Sequence, residues 1–314
     1  MTAAQKLVGS LRFPGVAWSF SRLGYQQRSR TFSHDEIDSN LAGKVCLVTG
    51  ANSGIGFAIA RGLAERHANV WLLCRRRGRA NEAHARLATL GAGSVHVETV
   101  DMADLGSIRA LVERLQVSVV DVLVHNAGAL FDHRLVTGDG LERTAALHVV
   151  GPECLTRGLL TRLHAADSAR VIYISSGGMY TEHLSVADLF DPPEPFDGVR
   201  TYALAKRAQV VMAEMWATRE SQVAFYAMHP GWVDTIGVKS ALPVFYKTTR
   251  PWLRSPAEGA DTALWLAACR ELPVPPGSFV FDRAAVPRHI LPGTREDGVE
   301  RERLWAEIEA SLVV

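Results

Sequence analysis

The sequence predicts an α/β fold in which a doubly wound parallel sheet forms a single domain, and two observations lead to this prediction. First, short apolar runs of strand length alternate with segments of helix length from residue 44 onward, and strands buried on both faces of a sheet have this near-continuous apolar character. Second, the apolar run 45–48 leads into a glycine-rich stretch, residues 49–56, and then into helical apolar spacing. This order indicates a strand, a tight turn and a helix.

The remaining elements follow in order along the chain. Strands are predicted at 45–49, 69–74, 94–100, 119–125, 169–175, 222–229 and 278–282. Beyond the helix that follows the glycine turn, helices are predicted at 80–90, 105–116, 141–164, 201–219, 256–269 and 299–312. The predicted organisation is a basic amphipathic pre-domain segment at 1–41, a domain at 42–290, and a linker with a C-terminal helix at 291–314.

Composition and charge exclude several classes of protein. The net charge of +1 over 314 residues gives no reason to expect a nucleic-acid partner. The four cysteines are scattered without metal-ligand spacing, so we expect reduced thiols, no metal site and a cytoplasmic or other reducing compartment. No apolar run approaches the length of a membrane span.

The first 34 residues differ in kind from the rest. They carry five basic residues mixed with apolar ones, and the first acidic residue is Asp35; the basic residues are Lys6, Arg12, Arg22, Arg28 and Arg30. Three interpretations remain open: a mitochondrial or other organelle transit segment, an amphipathic stretch in peripheral contact with a membrane, or a segment docked on the domain. We favour the last two.

The glycine-rich turn has the features of a nucleotide-binding turn. Glycines remove Cβ atoms where the backbone approaches a pyrophosphate, and the first turn of the following helix offers unpaired N–H groups and a positive dipole end. An ordinary strand-to-helix turn is the alternative. The residues predicted to bind the cofactor here are Thr49, Gly50, Asn52, Ser53, Gly54, Ile55 and Gly56.

Four further motifs follow the glycine turn in a fixed order. They are His-Asn-Ala-Gly at 125–128, Ile-Ser-Ser at 174–176, Tyr-Ala-Leu-Ala-Lys at 202–206 and Pro-Gly-Trp-Val-Asp-Thr at 230–235. With these five motifs, residues 42–282 resemble the short-chain dehydrogenase/reductase family. The resemblance implies a Rossmann-type sheet, a nicotinamide cofactor, and oxidoreductase activity on a carbonyl or alcohol.

Tyr202 and Lys206 are four residues apart, which places them on one face of a helix. A positive neighbour lowers the pKa of a tyrosine, so we expect Tyr202 to act as the proton donor or acceptor. In isolation, such a pair also fits a solvated helix face. The resemblance makes Ser176 the hydroxyl that holds the reacting oxygen, whereas Ser175 is expected to cap or pack.

The resemblance also implies cofactor contacts outside the glycine turn. These residues are Asn126, Gly128, Asp101, Tyr202, Lys206, Pro230, Gly231 and Thr235. Four of them have simpler alternatives. Asn126 and Gly128 fit a left-handed turn, and Asp101 fits the N-cap of the next helix. Thr235, which would contact the nicotinamide carboxamide, also fits the start of a surface loop.

The end of the second predicted strand bears on cofactor choice. Folds that bind NAD usually place Asp or Glu about 20 residues beyond the glycine turn for the ribose 2′-hydroxyl, and an Arg there accommodates a 2′-phosphate. Here Cys74 takes the acidic position and Arg75 follows it. The sequence therefore predicts NADP(H), with Arg75 as the contact.

His148 departs from the family pattern. The resemblance implies an asparagine at this position that completes a proton relay to Lys206. Histidine can itself move protons near neutrality, although a charged imidazole beside a lysine is electrostatically costly. We keep two alternatives for His148: a member of the relay, or a structural residue.

The segment between Ser176 and Tyr202 is longer than in most family members, and the apolar segment 232–255 follows the last motif. Together they predict a pocket for a hydrophobic carbonyl or alcohol such as a steroid, retinoid or lipid aldehyde; a packed loop is the alternative. The sequence thus predicts an NADP(H)-dependent oxidoreductase for a small molecule, with a nucleotide-binding scaffold or redox sensor as the competing class. The resemblance adds a homo-oligomer paired through the helices of Cys154 and Tyr202.

Overall fold

The computed structural model describes residues 14–33, 36–37, 40–90 and 93–313. Within them, eight strands form one sheet in the order β3-β2-β1-β4-β5-β6-β7-β8, and only β8 runs antiparallel to its neighbour. The strands are β1 Val45–Thr49, β2 Asn69–Cys74, β3 Val95–Thr99, β4 Val122–His125, β5 Arg170–Ile174, β6 Ala224–Met228, β7 Phe279–Phe281 and β8 Ala284–Ala285. The predicted α/β fold with a doubly wound parallel sheet is confirmed.

Helices cover both faces of the sheet. They are α1 Pro14–Phe20, α2 Arg22–Arg28, α3 Gly54–Ala64, α4 Arg77–Ala88, α5 Leu105–Arg114, α6 Gly151–His164, α7 Val186–Phe190, α8 Gly198–Arg219, α9 Ile236–Ala241, α10 Pro243–Thr249, α11 Pro256–Ala268 and α12 Gly298–Leu312. Apolar residues of α5, α6, α8 and α12 form one core. Those of α3, α4 and α11 form the other.

The order of the strands determines where a ligand fits. Strands β2 and β3 lie on one side of β1, and β4 to β8 lie on the other side. The chain therefore leaves β1 and β4 toward opposite faces of the sheet. This arrangement opens a crevice at the carboxyl ends of β1 and β4.

The structure corrects the predicted elements in three places. The helix predicted at 141–164 is not continuous, because a short helical turn, Arg143–Ala145, and a π turn, Ala146–Val150, come before α6. Strand β8 was not predicted, since its two alanines are exposed and give no apolar pattern. The short helices α7, α9 and α10 were also not predicted.

The described part of the basic N-terminal segment packs on the domain. The Phe20 ring contacts the rings of Tyr180, His229, Trp232 and Phe281, with centroids 4.6 to 6.4 Å apart. The backbone carbonyl of Phe20 accepts a hydrogen bond from the Trp232 amide at 2.9 Å. Two of the basic residues noted above, Lys6 and Arg12, lie outside the described residues.

A buried cluster of charges fixes this segment in place. The Arg254 guanidinium donates to the carbonyls of Ser19, Phe20 and Ser21 and pairs with Asp282 at 2.6 Å. Arg28 of α2 pairs with the same carboxylate. Since only about 1% of the Arg254 and Asp282 side chains is exposed, the segment is tied to the domain through groups that are shielded from water.

Candidate active site

A cavity of about 550 Å³ occupies the crevice at the carboxyl ends of the strands. Its wall is formed by the glycine turn after β1 and by the loops after β4, β5 and β6, together with α8, α9 and α10. Of the predicted site residues, Thr49 and His148 do not line this cavity. Those that line it are Gly50, Asn52, Ser53, Gly54, Ile55, Gly56, Arg75, Asp101, Asn126, Gly128, Ser176, Tyr202, Lys206, Pro230, Gly231 and Thr235, and the neighbouring Ser175 also lines it.

The glycine turn is shaped by backbone that only glycine accommodates well. Gly50 and Gly54 have φ values of +67° and +56°, a region that side chains with a Cβ rarely adopt. A Cβ atom on Gly56 would lie 2.3 Å from Nδ2 of Asn126. Helix α3 begins at Gly54 and its first residues line the cavity, so its unpaired N–H groups and positive dipole end suit an anion there.

Thr49 and Asn126 join the turn after β1 to the loop after β4. The Thr49 hydroxyl accepts hydrogen bonds from the amides of Asn126 and Ala127, both at 2.9 Å. In return, Nδ2 of Asn126 donates to the Thr49 carbonyl at 2.9 Å. Thr49 is buried and is not a lining residue of the cavity, so its contacts hold the crevice in shape.

Arg75 and Asp101 line the part of the cavity predicted for the adenosine half of the cofactor, and Cys74 lies next to Arg75 outside the lining. Arg75 lines this part of the cavity with a largely exposed guanidinium, 3.8 Å from the Asp101 carboxylate. The thiol of Cys74 is hydrogen-bonded to the backbone of the glycine turn, where it offers no carboxylate to a ribose. Asp101 accepts from the amide of Ala103, and the N-cap of α5 is Asp104.

Ser176 and Tyr202 meet at the end of β5. Their side chains are neighbours on the cavity wall, and the Ser176 hydroxyl accepts from the Gly178 amide at 3.2 Å. Burial raises the pKa of Tyr202 to about 12, and the neighbouring Ser176 hydroxyl opposes that rise. The lowered pKa expected for Tyr202 from a charged neighbour is therefore wrong for the unliganded site, since burial outweighs the lysine.

Lys206 is buried directly below the tyrosine. Its Nζ lies 5.4 Å from the centre of the Tyr202 ring and donates to the Ile174 carbonyl at 2.8 Å and to Oε1 of Gln209 at 3.0 Å. Burial lowers the pKa of Lys206 to about 7. The neighbouring Ser175 hydroxyl donates to the Lys206 carbonyl at 2.7 Å, which agrees with the packing role expected for it.

The His148 ring bonds to the backbone at Ala129 and packs against Tyr202. Its Nε2 lies 2.9 Å from the Ala129 carbonyl, and its ring meets the Tyr202 ring edge to face at 5.3 Å. Burial lowers the pKa of His148 well below its ordinary value, and the charge of Lys206 lowers it further. The geometry supports the structural alternative for the ring, because a neutral imidazole bonded to Ala129 does not carry a proton to the lysine.

Gln209 was missed by the sequence analysis. It is fully buried on α8, and its Nε2 donates to the His148 carbonyl at 2.8 Å. The position three residues after Lys206 could have indicated it, since side chains three apart share a helix face. A glutamine in an otherwise apolar stretch of a buried helix was the available signal.

Apolar side chains line the substrate end of the cavity. Thr235 caps α9 by accepting from the Val238 amide at 3.2 Å. It lines the cavity and begins a helix, not the surface loop of its alternative role. Helices α9 and α10 contribute Ile236, Val238, Leu242 and Phe245 to the wall. This lining suits a largely apolar ligand.

Neither a metal-binding cluster nor a membrane-spanning helix is found among the described residues. In the ranges given above, no group of three or more His, Cys, Asp and Glu side chains is arranged to hold a metal ion. Likewise, none of the helices in the described part of the chain is long and apolar enough to span a membrane.

Sequence comparison finds related proteins over most of the chain. The family model described as short chain dehydrogenase matches residues 44–243. Human dehydrogenase/reductase SDR family member 12 is 38% identical over 93% of this chain and 93% of its own length. Human retinol dehydrogenase 12 is 32% identical over 84% of this chain and 85% of its own length.

Structure comparison agrees with the sequence comparison. An uncharacterised protein from Mycobacterium paratuberculosis superimposes with a TM-score of 0.71 at 26% identity, covering 90% of this chain and 98% of that one. An NAD(P)-dependent gluconate 5-dehydrogenase from Beutenbergia cavernae, assigned provisionally and solved with bound NADP, gives 0.60 at 26% identity, over 74% and 92%. From the matched family model, the relatives and the shared fold, we conclude that this chain belongs to the short chain dehydrogenase family of oxidoreductases.

Proposed function

We propose that the protein is an NADP(H)-dependent oxidoreductase that interconverts a carbonyl and an alcohol on a small hydrophobic substrate. The observation that carries this proposal is the neighbouring pair of hydroxyls, Ser176 and Tyr202, on one cavity wall beside the buried Lys206. These three side chains come from distant parts of the sequence and meet at the wall of one cavity. Groups that can hold an oxygen and exchange its proton are what carbonyl reduction needs.

The residues around the cavity fit a dinucleotide with a 2′-phosphate. The start of α3 offers amide donors to a pyrophosphate. Arg75 lines the cavity, and it follows Cys74, which stands at the position where a carboxylate would favour NAD. When bound, the nicotinamide supplies or accepts the hydride, and the choice of NADP(H) rests on Arg75.

Each of the three site side chains has a distinct task in reduction. Ser176 donates a hydrogen bond to the substrate oxygen, which gains negative charge as the carbonyl carbon is reduced. Tyr202 gives its proton to that oxygen, and the high pKa of its phenol keeps the proton in place until charge develops. Lys206 in its charged form stabilises the phenolate that remains, and the phenol is then reprotonated from solvent.

The walls of the cavity support a hydrophobic substrate. The side chains of Leu242, Phe245 and Trp232 line it. The related retinol dehydrogenase 12 is named for an apolar alcohol. We therefore propose a retinoid, steroid or lipid aldehyde, or the corresponding alcohol, as the substrate class.

The test follows NADPH absorbance in the presence of a panel of apolar and polar carbonyls. We expect Tyr202→Phe to lower kcat by at least about 100-fold, because loss of a general acid removes a contribution of about 10² to 10⁴. Tyr226→Phe is the matched control, since Tyr226 is a buried tyrosine that does not line the cavity. Equal rates for wild type and Tyr202→Phe would refute the mechanism, and NADPH binding without any turnover would favour a sensor or scaffold.

A further inference from the structure

A buried polar chain runs behind the catalytic lysine. From Nζ of Lys206, a hydrogen bond of 3.0 Å leads to Oε1 of Gln209. From Nε2 of Gln209, a second bond of 2.8 Å leads to the His148 carbonyl in the π turn Ala146–Val150. Both side chains are almost wholly removed from solvent, with 3% of Lys206 and none of Gln209 exposed. The side-chain amide of Gln209 is fully buried and connects α8 to the π turn.

The ammonium group of Lys206 has one more donor than its hydrogen bonds use. A lysine side chain has three N–H donors and no acceptor. Two of them are directed to the Ile174 carbonyl and to Gln209. Because Lys206 also lines the cavity, the third donor remains for a ligand. The two fixed bonds therefore determine where that third donor points.

The described surroundings of Lys206 supply no negative charge to balance its ammonium group, so the Gln209 oxygen is one of the few groups that stabilise it. Among the described residues, the titratable groups that face Lys206 are Tyr202 on its own helix and His148 on the π turn. Strand β5 presents the Ile174 carbonyl. None of these groups carries a negative charge at neutral pH, so the ammonium is held only by dipoles.

We propose that Gln209 is a positioning residue of the active site, which holds Lys206 in its charged form and directs its free donor into the cavity. The inference rests on the proposed function, since it assigns Gln209 to the lysine that would act there. It also specifies how His148 contributes. The carbonyl of His148, and not its imidazole, anchors the chain that ends at Lys206.

The test measures the dissociation constant of NADPH across neutral pH, by fluorescence, for the wild type and two variants. Charged Lys206 attracts the cofactor, so affinity falls as pH rises through the pKa of the lysine. Gln209→Met has a similar size but lacks the acceptor, and we expect the midpoint of this fall to move to lower pH by about one unit or more. Gln209→Glu puts a carboxylate beside the ammonium, and we expect the midpoint to move to higher pH.

Opposite shifts distinguish positioning from packing, because damage to packing alone does not raise the midpoint. Gln222→Glu is the matched control, since it adds the same charge at an exposed position and should leave the midpoint unchanged. Should Gln209→Met fail to fold, the upward shift in Gln209→Glu still decides the matter. Unchanged midpoints, or shifts of one sign in both variants, would overturn the inference.

The same measurements separate this inference from the proposed function. Cofactor affinity is recorded without turnover, so opposite shifts support the role of Gln209 even if no carbonyl in the panel is reduced. That combination would refute the oxidoreductase mechanism alone. Turnover that depends on Tyr202, together with unchanged midpoints, would refute only the role of Gln209. If NADPH does not bind to the wild type, both are refuted.

Discussion

The Asp282 carboxylate should be the main determinant of how tightly the N-terminal segment is held. It accepts hydrogen bonds from two guanidinium groups, those of Arg254 and Arg28. Its backbone has a φ value of +47°, which asparagine tolerates about as well as aspartate does. Asp282→Asn therefore removes the charge while keeping the size of the side chain and the conformation of the backbone.

The expected cost follows from burial. Removing one partner of a buried ion pair costs about 3 to 5 kcal/mol, because an uncompensated charge is left behind. The asparagine oxygen still accepts one hydrogen bond, so we expect the lower end, about 3 kcal/mol. For a chain of this length, with an unfolding entropy of about 2.1 cal/mol/K per residue, this corresponds to a Tm lower by about 5 °C.

Two measurements test this expectation. Thermal unfolding gives the change in Tm. Limited trypsin digestion reports on α2 and the residues just after it, where the segment offers Arg22, Arg28 and Arg30. We expect Asp282→Asn to be cleaved there first. Glu302→Gln is the control, because its pair with Arg219 is largely exposed and should be worth at most about 1 kcal/mol. A Tm change no larger than that of the control, with an unchanged digestion pattern, would refute the reasoning.

Two further predictions concern the cofactor and the oligomeric state. Arg75→Ser should raise the Kd of NADPH about 10- to 100-fold and leave the Kd of NADH unchanged, because hydrogen bonds to charged groups are worth about 1.5 to 3 kcal/mol. Arg76→Ser is the control. Equal losses of affinity for both cofactors would contradict the role of Arg75. Size-exclusion chromatography with light scattering should find a monomer, because α12 buries Leu304 and Ile308 against the core that α6 and α8 form. A stable dimer that survives dilution would show that pairing uses this covered face or another one.

Strands in the middle of the sheet were predictable from the sequence, because burial on both faces leaves an unbroken apolar run. Strand β2 lies where it was predicted, and its pattern Val-Trp-Leu-Leu is apolar throughout. Strand β8 is an edge of two exposed alanines, and such a strand depends on pairing with β7 and not on any local preference.

The π turn before α6 shows why parts of the site could not be predicted. The apolar residues of the π turn continue the spacing of an α-helix, so the pattern at 141–164 indicated one continuous helix. The extra residue in the turn changes which groups face α8. It brings the carbonyl of His148 to Gln209 and directs its imidazole to Ala129. The family resemblance identified His148, whereas the orientation of its side chain depends on tertiary contacts.

The pKa of Tyr202 was misjudged for a related reason. The sequence shows that a lysine follows four residues later, and this argues for a lowered pKa. It does not show how much water reaches the phenol. In the folded chain, burial affects both groups: it raises the pKa of Tyr202 to about 12 and lowers that of Lys206 to about 7. A cofactor bound between them would change both environments.

The two adjacent serines at the end of β5 explain why the register of this strand matters for the site. Successive side chains of a strand point to opposite faces, so Ser175 and Ser176 have different neighbours. Ser175 donates to the Lys206 carbonyl and thereby fixes α8, whereas Ser176 lies beside the Tyr202 phenol. A shift of one residue would exchange these roles and would turn the apolar residues of β5 to the wrong core. The pairing of β5 with β4 and β6 therefore determines which of the two serines lies beside Tyr202.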